Sequence, residues 1–292
     1  MSDHRIVITG ASGKLGSKIL SRLIKWDLKT PLIASSRRVM SAETLGSPKV
    51  GFRLADFEKP DDLRMLLNEG DRLFMVSTTQ LSQRLRSHAN VVAASKQARV
   101  SRLIYSSVLR ADSSPLKVSE DHRLTEQLIA KSGVPWVILR NTWYSENKLR
   151  FLADFIGSGE LIGCSGEGVI RSAARSDLAE AAARMLASPH QAPNQLFELA
   201  GDTAFTMTEL AKIISEVSGV NVVYRDVSES EYVHWLEARG VPAKLAHFTA
   251  EVEASAKQGW LDTPSRDLSK ILGRPTISMR TLVEQAVAEF DS

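Results

Sequence analysis

The sequence predicts an α/β protein: a doubly wound parallel sheet over residues 1–141, to which residues 177–200 return, carrying a smaller, mostly helical lobe made of residues 142–176 and 201–292. Three observations predict it. Short apolar runs without polar alternation take turns with amphipathic helical stretches through the first half, the pattern of strands covered on both faces and joined by helices. The first run passes through closely spaced glycines straight into a helix. After Asn141 the rhythm breaks, and residues 142–176 are mixed, with five glycines between Gly157 and Gly168.

The elements follow in order. Residues 5–9 (RIVIT) are a compact β-branched run. In the helix behind them Leu15, Ile19 and Leu23 recur every four residues, with Leu20 and Ile24 beside them, so one face is apolar. Residues 31–35, 50–54, 72–76, 102–106 and 136–139 read as strands two to six. Helices are expected over residues 81–97 and 119–131. Right-handed crossovers then leave the doubly wound arrangement as the simplest topology. In the second half, residues 177–187 form an Ala-rich helix, and residues 196–199 a short strand. Residues 206–218 open with Thr206 and Glu209 in capping-box spacing. Residues 220–227 suit a further strand, residues 142–176 suit loops and turns, and the remainder is helical to Phe290.

Composition excludes several classes. The chain has 292 residues, 43% hydrophobic and 24% charged, the balance of an ordinary folded protein. A formal charge of +3 is too small an excess to argue for nucleic acid. Arg84, Arg86, Arg99 and Arg102, around the helix before the fifth strand, read as a solvated face. A single cysteine, Cys164, excludes an internal disulfide and a multi-cysteine zinc site, and it reads as a solvent-facing or packed small residue. The six histidines show no ligand spacing, so no metal is expected. With neither a signal-peptide pattern at the start nor an apolar run of spanning length, the expectation is a cytoplasmic protein without membrane contact.

The chemistry starts at the first turn. Gly10, Gly13 and Gly16 stand between strand and helix in G-x-x-G-x-x-G spacing, with Ser12, Lys14 and Leu15 among them. Gly10 suits the sharp turn, Gly13 the close approach of a pyrophosphate, and Gly16 tight helix–strand packing. Phosphates would meet free N–H groups and the positive end of the helix dipole. The alternative is a purely structural turn. The second strand ends in Ala34-Ser35-Ser36-Arg37-Arg38, with no acid before Glu43, where an NAD site needs a carboxylate for the ribose hydroxyls. Arg37 and Arg38, helped by Lys14, therefore favour the 2′-phosphate of NADP(H), the alternative being two solvated arginines. Ligands in such sheets lie beyond the C-terminal strand ends. Asp56 and Phe57 are thus expected near the adenine, Ser77, Thr78 and Thr79 near the ribose and nicotinamide, and Ser106 with Ser107 at the reaction centre.

These residues also carry a resemblance. ITGASGKLG at 8–16, RLADF at 53–57 and LRNTWYSEN at 139–147 resemble the NmrA-like group of atypical short-chain dehydrogenase/reductases, on its quinone-reducing branch, with triphenylmethane-dye reductases as near relatives. So do IRSAARSDLAEAAARML at 170–186, LFELAGDTAFTMTELA at 196–211 and SKILGRP at 269–275. The resemblance implies that Gly10, Gly13 and Gly16 form the glycine loop, that Arg37 is the NADP arginine, and that Arg175 lies near the cofactor or the cleft mouth. It assigns Asn141, Trp143, Tyr144 and Glu146 to the substrate side. The implied activity is NADPH-dependent hydride transfer to a quinone bound between the two lobes. The alternatives are a non-catalytic NADP-binding redox sensor and a reductase of dyes or other flat conjugated acceptors. A homodimer is left open.

One departure bears on mechanism. The superfamily's usual Tyr-x-x-x-Lys pair lies on the helix after the fifth strand, where this chain has His122 and Glu126. Tyr144 and Lys148 match the spacing literally, but behind the sixth strand, in the wrong place for that role. A quinone needs less help than an isolated carbonyl, because its ring spreads the incoming charge and its oxygen can take a proton from water. Tyr144 is then a hydrogen-bond donor to a quinone oxygen, Asn141 an orienting group and Trp143 a stacking surface. Core packing is the alternative for Trp143 and Tyr144. His122 is a proton-donor candidate, with a structural helix histidine as its alternative.

Overall fold

In the computed structural model residues 4–78, 83–188 and 192–290 are described. The chain order begins β1 (Ile6–Ile8), α1 (Lys14–Lys25), β2 (Leu32–Ser36), α2 (Ala42–Leu45), β3 (Val50–Leu54), α3 (Pro60–Leu66) and β4 (Arg72–Met75). It continues with α4 (Arg84–Ala98), β5 (Arg102–Val108), α5 (Lys117–Lys131), β6 (Trp136–Asn141), α6 (Ser145–Lys148), α7 (Leu152–Ser158) and β7 (Glu160–Gly163). Then come α8 (Arg175–Ala187), β8 (Gln195–Leu199), α9 (Met207–Ser218), β9 (Val223–Asp226), α10 (Glu229–Glu237), α11 (Ala243–Ala254), α12 (Asp267–Leu272) and α13 (Met279–Ala288).

Two compact units arise from these elements. The first comprises the stretch up to Asn141, Arg175–Leu199 and Lys270–Gly273. Its seven-stranded sheet runs β3-β2-β1-β4-β5-β6-β8, every neighbouring pair parallel. Strand order reverses between β1 and β4, which opens the crevice where doubly wound sheets hold ligands. Val7, Leu73, Leu103 and Tyr105 are fully buried, as the unbroken apolar runs require. Helix α1 turns Leu15, Ile19, Leu20 and Leu23 inward and packs against α8, where Arg22 meets Glu180 at 3.3 Å.

The structure adds elements that periodicity understates. Pro60 at the start of α3 and Asp61 and Asp62 in its first turn are start signals for a helix with only Leu63 and Leu66 buried. β5 and β6 run on to Val108 and Asn141, because Ser107 and Arg140 near their ends are satisfied inside the fold. Arg140 pairs there with Glu126 at 2.7 Å and Glu198 at 3.0 Å, and Ser107 donates to Glu126 at 2.5 Å. The solvated arginine face is corrected: Arg84 and Arg102 are buried, leaving Arg86 and Arg99 exposed. Arg102 donates to the carbonyls of Met185 and Ser188, and Arg72 to those of Leu186 and Ala187. Both supply the donors that the last turn of α8 lacks.

The second unit comprises Thr142–Ala174, Ala200–Ser269 and the stretch from Arg274. It holds a two-stranded parallel sheet, β7 beside β9. Residues 142–176, expected as loops, contain α6, α7 and β7. Leu152 and Phe155 are buried, and Gly159 at φ +70° ends α7 in the left-handed conformation. Capping boxes open α9 (Thr206, Glu209) and α10 (Ser228, Glu231). Trp235 stacks on Phe155 and Tyr232. Cys164 is fully buried rather than solvent-facing, its Sγ 3.5 Å from the Ala250 carbonyl, and burial with Glu253 nearby pushes the thiol up to about 12. No described helix is long and apolar enough to cross a membrane.

Candidate active site

The first unit's crevice is a cleft of about 660 Å³ beyond the C-terminal ends of β1, β2, β3 and β4. Its floor is the glycine loop. Thr9 fastens the end of β1 to β4: its Oγ1 donates to the Phe74 carbonyl at 3.0 Å and accepts from the Val76 N–H at 3.2 Å. Gly10 then turns at φ +62°, and the Ala11 N–H reaches the Ser35 carbonyl at 3.0 Å. A Cβ on Gly16 would lie 2.3 Å from the Gly10 carbonyl oxygen, so only glycine lets α1 start this close to β1. Gly13, at the N-cap, offers no side chain to the first turn of α1, and no acid occupies that turn. Its N–H groups and dipole therefore remain for an anion. The fit to a pyrophosphate is good.

The cleft's other walls use several of the expected residues. Gly10, Ser12, Gly13, Arg37, Arg38, Asp56, Phe57, Ser77 and Thr78 all line it. Arg37 and Arg38 are exposed, and the turn before them is held by Ser36, whose Oγ accepts from the Arg38 N–H at 3.2 Å. Sequence reasoning passed over Ser35, Ser36, Ala55 and Val76 as wall residues, although they flank the residues it chose. Asp56 Oδ1 accepts from the Glu58 N–H at 3.1 Å, and Asn90 donates to the Phe57 carbonyl at 2.8 Å, fixing the loop after β3. Ser106 is buried behind the wall, its Oγ accepting from the Ser77 N–H at 3.0 Å. Leu15 and Gly16 are buried, Lys14 is exposed on the first turn of α1, and Arg175, buried, opens α8; none of these four lines the cleft. Thr79 lies outside the described residues.

Behind the loop after β4 lies a buried polar cluster. His88 Nε2 accepts from the Thr78 N–H at 3.1 Å, and its Nδ1 lies 3.0 Å from Thr125 Oγ1. Thr125 spends its own proton on the Asp121 carbonyl, so we assign His88 the proton on Nδ1. Burial, with Arg84 nearby, pushes His88 down to about 3. His122 Nδ1 lies 2.7 Å from the Tyr105 hydroxyl, and burial holds this imidazole well below its ordinary value. Neither His122 nor Glu126 lines the cleft. At the end of β6 Asn141 is buried, and its Oδ1 finds no hydrogen-bond partner among the described residues.

The second unit has a cavity of its own, about 220 Å³, with Trp143, Tyr144, Phe151 and Phe248 among its walls. Trp143 and Phe248 lie 5.9 Å apart at 58°. Glu146, half-buried, does not line it. Two polar residues that do, Lys148 and Glu253, form a buried ion pair. Sequence reasoning missed both roles: the partners are 105 positions apart, and nothing in a single sequence links them.

The sequence profile described as NAD(P)H-binding matches residues 10–189, the glycine loop and most of the first unit. The chain belongs to the NAD(P)H-binding family. Within it, quinone oxidoreductase 2 of Escherichia coli (strain K12) is 37% identical over 275 residues, covering 94% of this chain and 96% of that one. The structure of the NADPH-dependent quinone oxidoreductase of Escherichia coli complexed with NADPH superposes with a TM-score of 0.90 at 36% identity, covering 98% of this chain and all of the other. Triphenylmethane reductase of Citrobacter sp., complexed with NADP(H), gives a TM-score of 0.90 at 32% identity over 96% of this chain and 99% of that one.

Proposed function

We propose that this family member is an NADPH-dependent quinone reductase. The observation that carries the reading is the cleft, where an uncapped helix N-terminus and two exposed arginines meet at strand ends without an acid on β2. The similar Escherichia coli enzyme, NADPH-dependent and named for quinones, supports it. In this reading the first-turn N–H groups of α1, with Gly10, Ser12, Gly13 and Lys14, bind the pyrophosphate, while Leu15 and Gly16 set the helix against the sheet. Arg37 and Arg38 hold the 2′-phosphate. Asp56 and Phe57 border the adenine; Ser77 and Thr78 border the ribose and nicotinamide, with Ser106 positioning Ser77 from behind. Arg175 contributes at the cleft mouth.

When bound, NADPH supplies the hydride. Trp143 stacks on the acceptor ring, Tyr144 donates a hydrogen bond to one of its oxygens, Asn141 orients it, and Glu146 shapes the entrance. These groups act by holding the acceptor ring in place and keeping water from it. His122, neutral and tied to Tyr105, supports β5 and takes no part in proton transfer. The aromatic walls of the second unit's cavity suit a conjugated acceptor, so triarylmethane dyes are a second substrate class; the similarity to triphenylmethane reductase favours it. Residence in the cytoplasm and assembly as a homodimer complete the reading. Tyr144→Phe and Asn141→Ala test the acceptor side: quinone turnover falls about tenfold or more in each, while NADPH titration is unchanged. Unchanged turnover in both removes these roles.

A further inference from the structure

The buried ion pair in the second unit's cavity does not end at its two partners. Glu253, on α11, accepts at Oε2 from Lys148 Nζ and at Oε1 from Ser165 Oγ, 3.3 Å away. Ser165 is fully buried, and its Oγ lies 3.3 Å from the Tyr224 hydroxyl, which also accepts from the Ser165 N–H at 3.1 Å. Tyr224, on β9, donates to Asp226 Oδ1 at 2.8 Å, and Asp226 is exposed. Five side chains from four separate stretches thus form one line from solvent to the cavity wall. Gly163 makes room for it, since a Cβ there would lie 3.1 Å from Glu253 Oε1 and 3.2 Å from the Tyr224 ring. Burying an ion pair is costly, and an apolar pair of similar volume would often hold the fold as well. Wall residues of a cavity have little structural reason to be charged.

We propose that Lys148 is the proton donor to the reduced acceptor and that Asp226, Tyr224, Ser165 and Glu253 resupply it from solvent. The proposal rests on the acceptor occupying this cavity. A quinone that takes a hydride becomes a hydroquinone monoanion and needs one proton. The Lys148 N–H bond breaks as the O–H bond forms, leaving a neutral amine. That amine regains a proton through Glu253, which takes one from Ser165, as Ser165 does from Tyr224, Tyr224 from Asp226 and Asp226 from water. The sum is quinone, NADPH and one proton giving hydroquinone and NADP⁺. Each hydroxyl has one donor and two acceptor sites, so the line can be read in either direction. Burial raises the Tyr224 phenol above its ordinary value, keeping its proton available for handing on rather than lost to solvent.

Two acceptors with different proton demands separate a relay from a structural ion pair. A triarylmethane cation accepts hydride at its central carbon and becomes neutral without taking up a proton, whereas 1,4-naphthoquinone requires one. With Lys148→Ala and Tyr224→Phe, kcat for the naphthoquinone should fall at least ten times more than kcat for the dye, and NADPH fluorescence titration should match the wild type. Ethylamine in the buffer should restore naphthoquinone turnover to Lys148→Ala. Tyr224→Phe stands alone if the lysine variant does not fold, because it cuts the line without stranding a charge. Equal loss with both acceptors overturns the relay and leaves the quinone reading intact. Absence of naphthoquinone turnover in the wild type overturns both.

Discussion

A methyl group on Gly16 would press to 2.3 Å from the Gly10 carbonyl oxygen, so a single carbon decides whether α1 can begin where it does. Backbone, not a flexible side chain, is in the way, and Gly16→Ala should abolish NADPH binding and lower the melting temperature. A variant that melts and binds like the wild type would show that the loop relaxes freely. The arginines after β2 act on selectivity instead. Arg37→Ala removes a charge-assisted contact worth about 1.5–3 kcal/mol, roughly 10- to 100-fold in NADPH affinity, with NADH affinity nearly unchanged. Parallel titrations read the difference, and an equal loss for both cofactors would contradict a 2′-phosphate role. The tight packing at Gly16 and the place of Arg37 in the cleft wall were legible from the sequence because both are local: a glycine between strand and helix, an arginine just past a strand end.

Elements show where local meaning ends. The strands of the parallel sheet were legible as unbroken apolar runs, and the Thr206–Glu209 box as spacing alone. The ends of β5 and β6 were not, since Ser107 and Arg140 look like loop residues until Glu126 and Glu198 are brought to them. Arg102 reads as a surface charge until the last turn of α8 supplies carbonyls more than 80 positions away. Within this layer Glu126 and Arg140 hold α5 to β6. Glu126→Ala strands a buried guanidinium and should cost about 3–5 kcal/mol of stability, readable as a lower urea midpoint. A cost below about 1 kcal/mol would mean that Asp112 and Glu198 already satisfy Arg140.

Across the whole molecule the two buried imidazoles tie stability to pH. His88 is pushed down to about 3 and His122 well below its ordinary value, chiefly by burial, against about 6.5 in the unfolded chain. The unfolded state therefore binds more protons below pH 6.5, so stability is full above that value and declines as pH falls towards 3. Between pH 6.5 and 5, above the carboxylate range, the melting temperature should fall, and His88→Asn should flatten that fall. A melting temperature constant over the interval would contradict the neutral assignment. His88 also accepts from Thr78 at the cleft wall, so the same protonation loosens the loop after β4.

The most direct test of the central claim is steady-state oxidation of NADPH by the purified protein with 1,4-naphthoquinone as acceptor, with NADH in parallel. Quinone-dependent turnover with NADPH ahead of NADH by tenfold or more is the predicted result, in keeping with the two arginines at the cleft. Tight NADPH binding without turnover on any quinone or dye would contradict it and make the protein a sensor of NADPH.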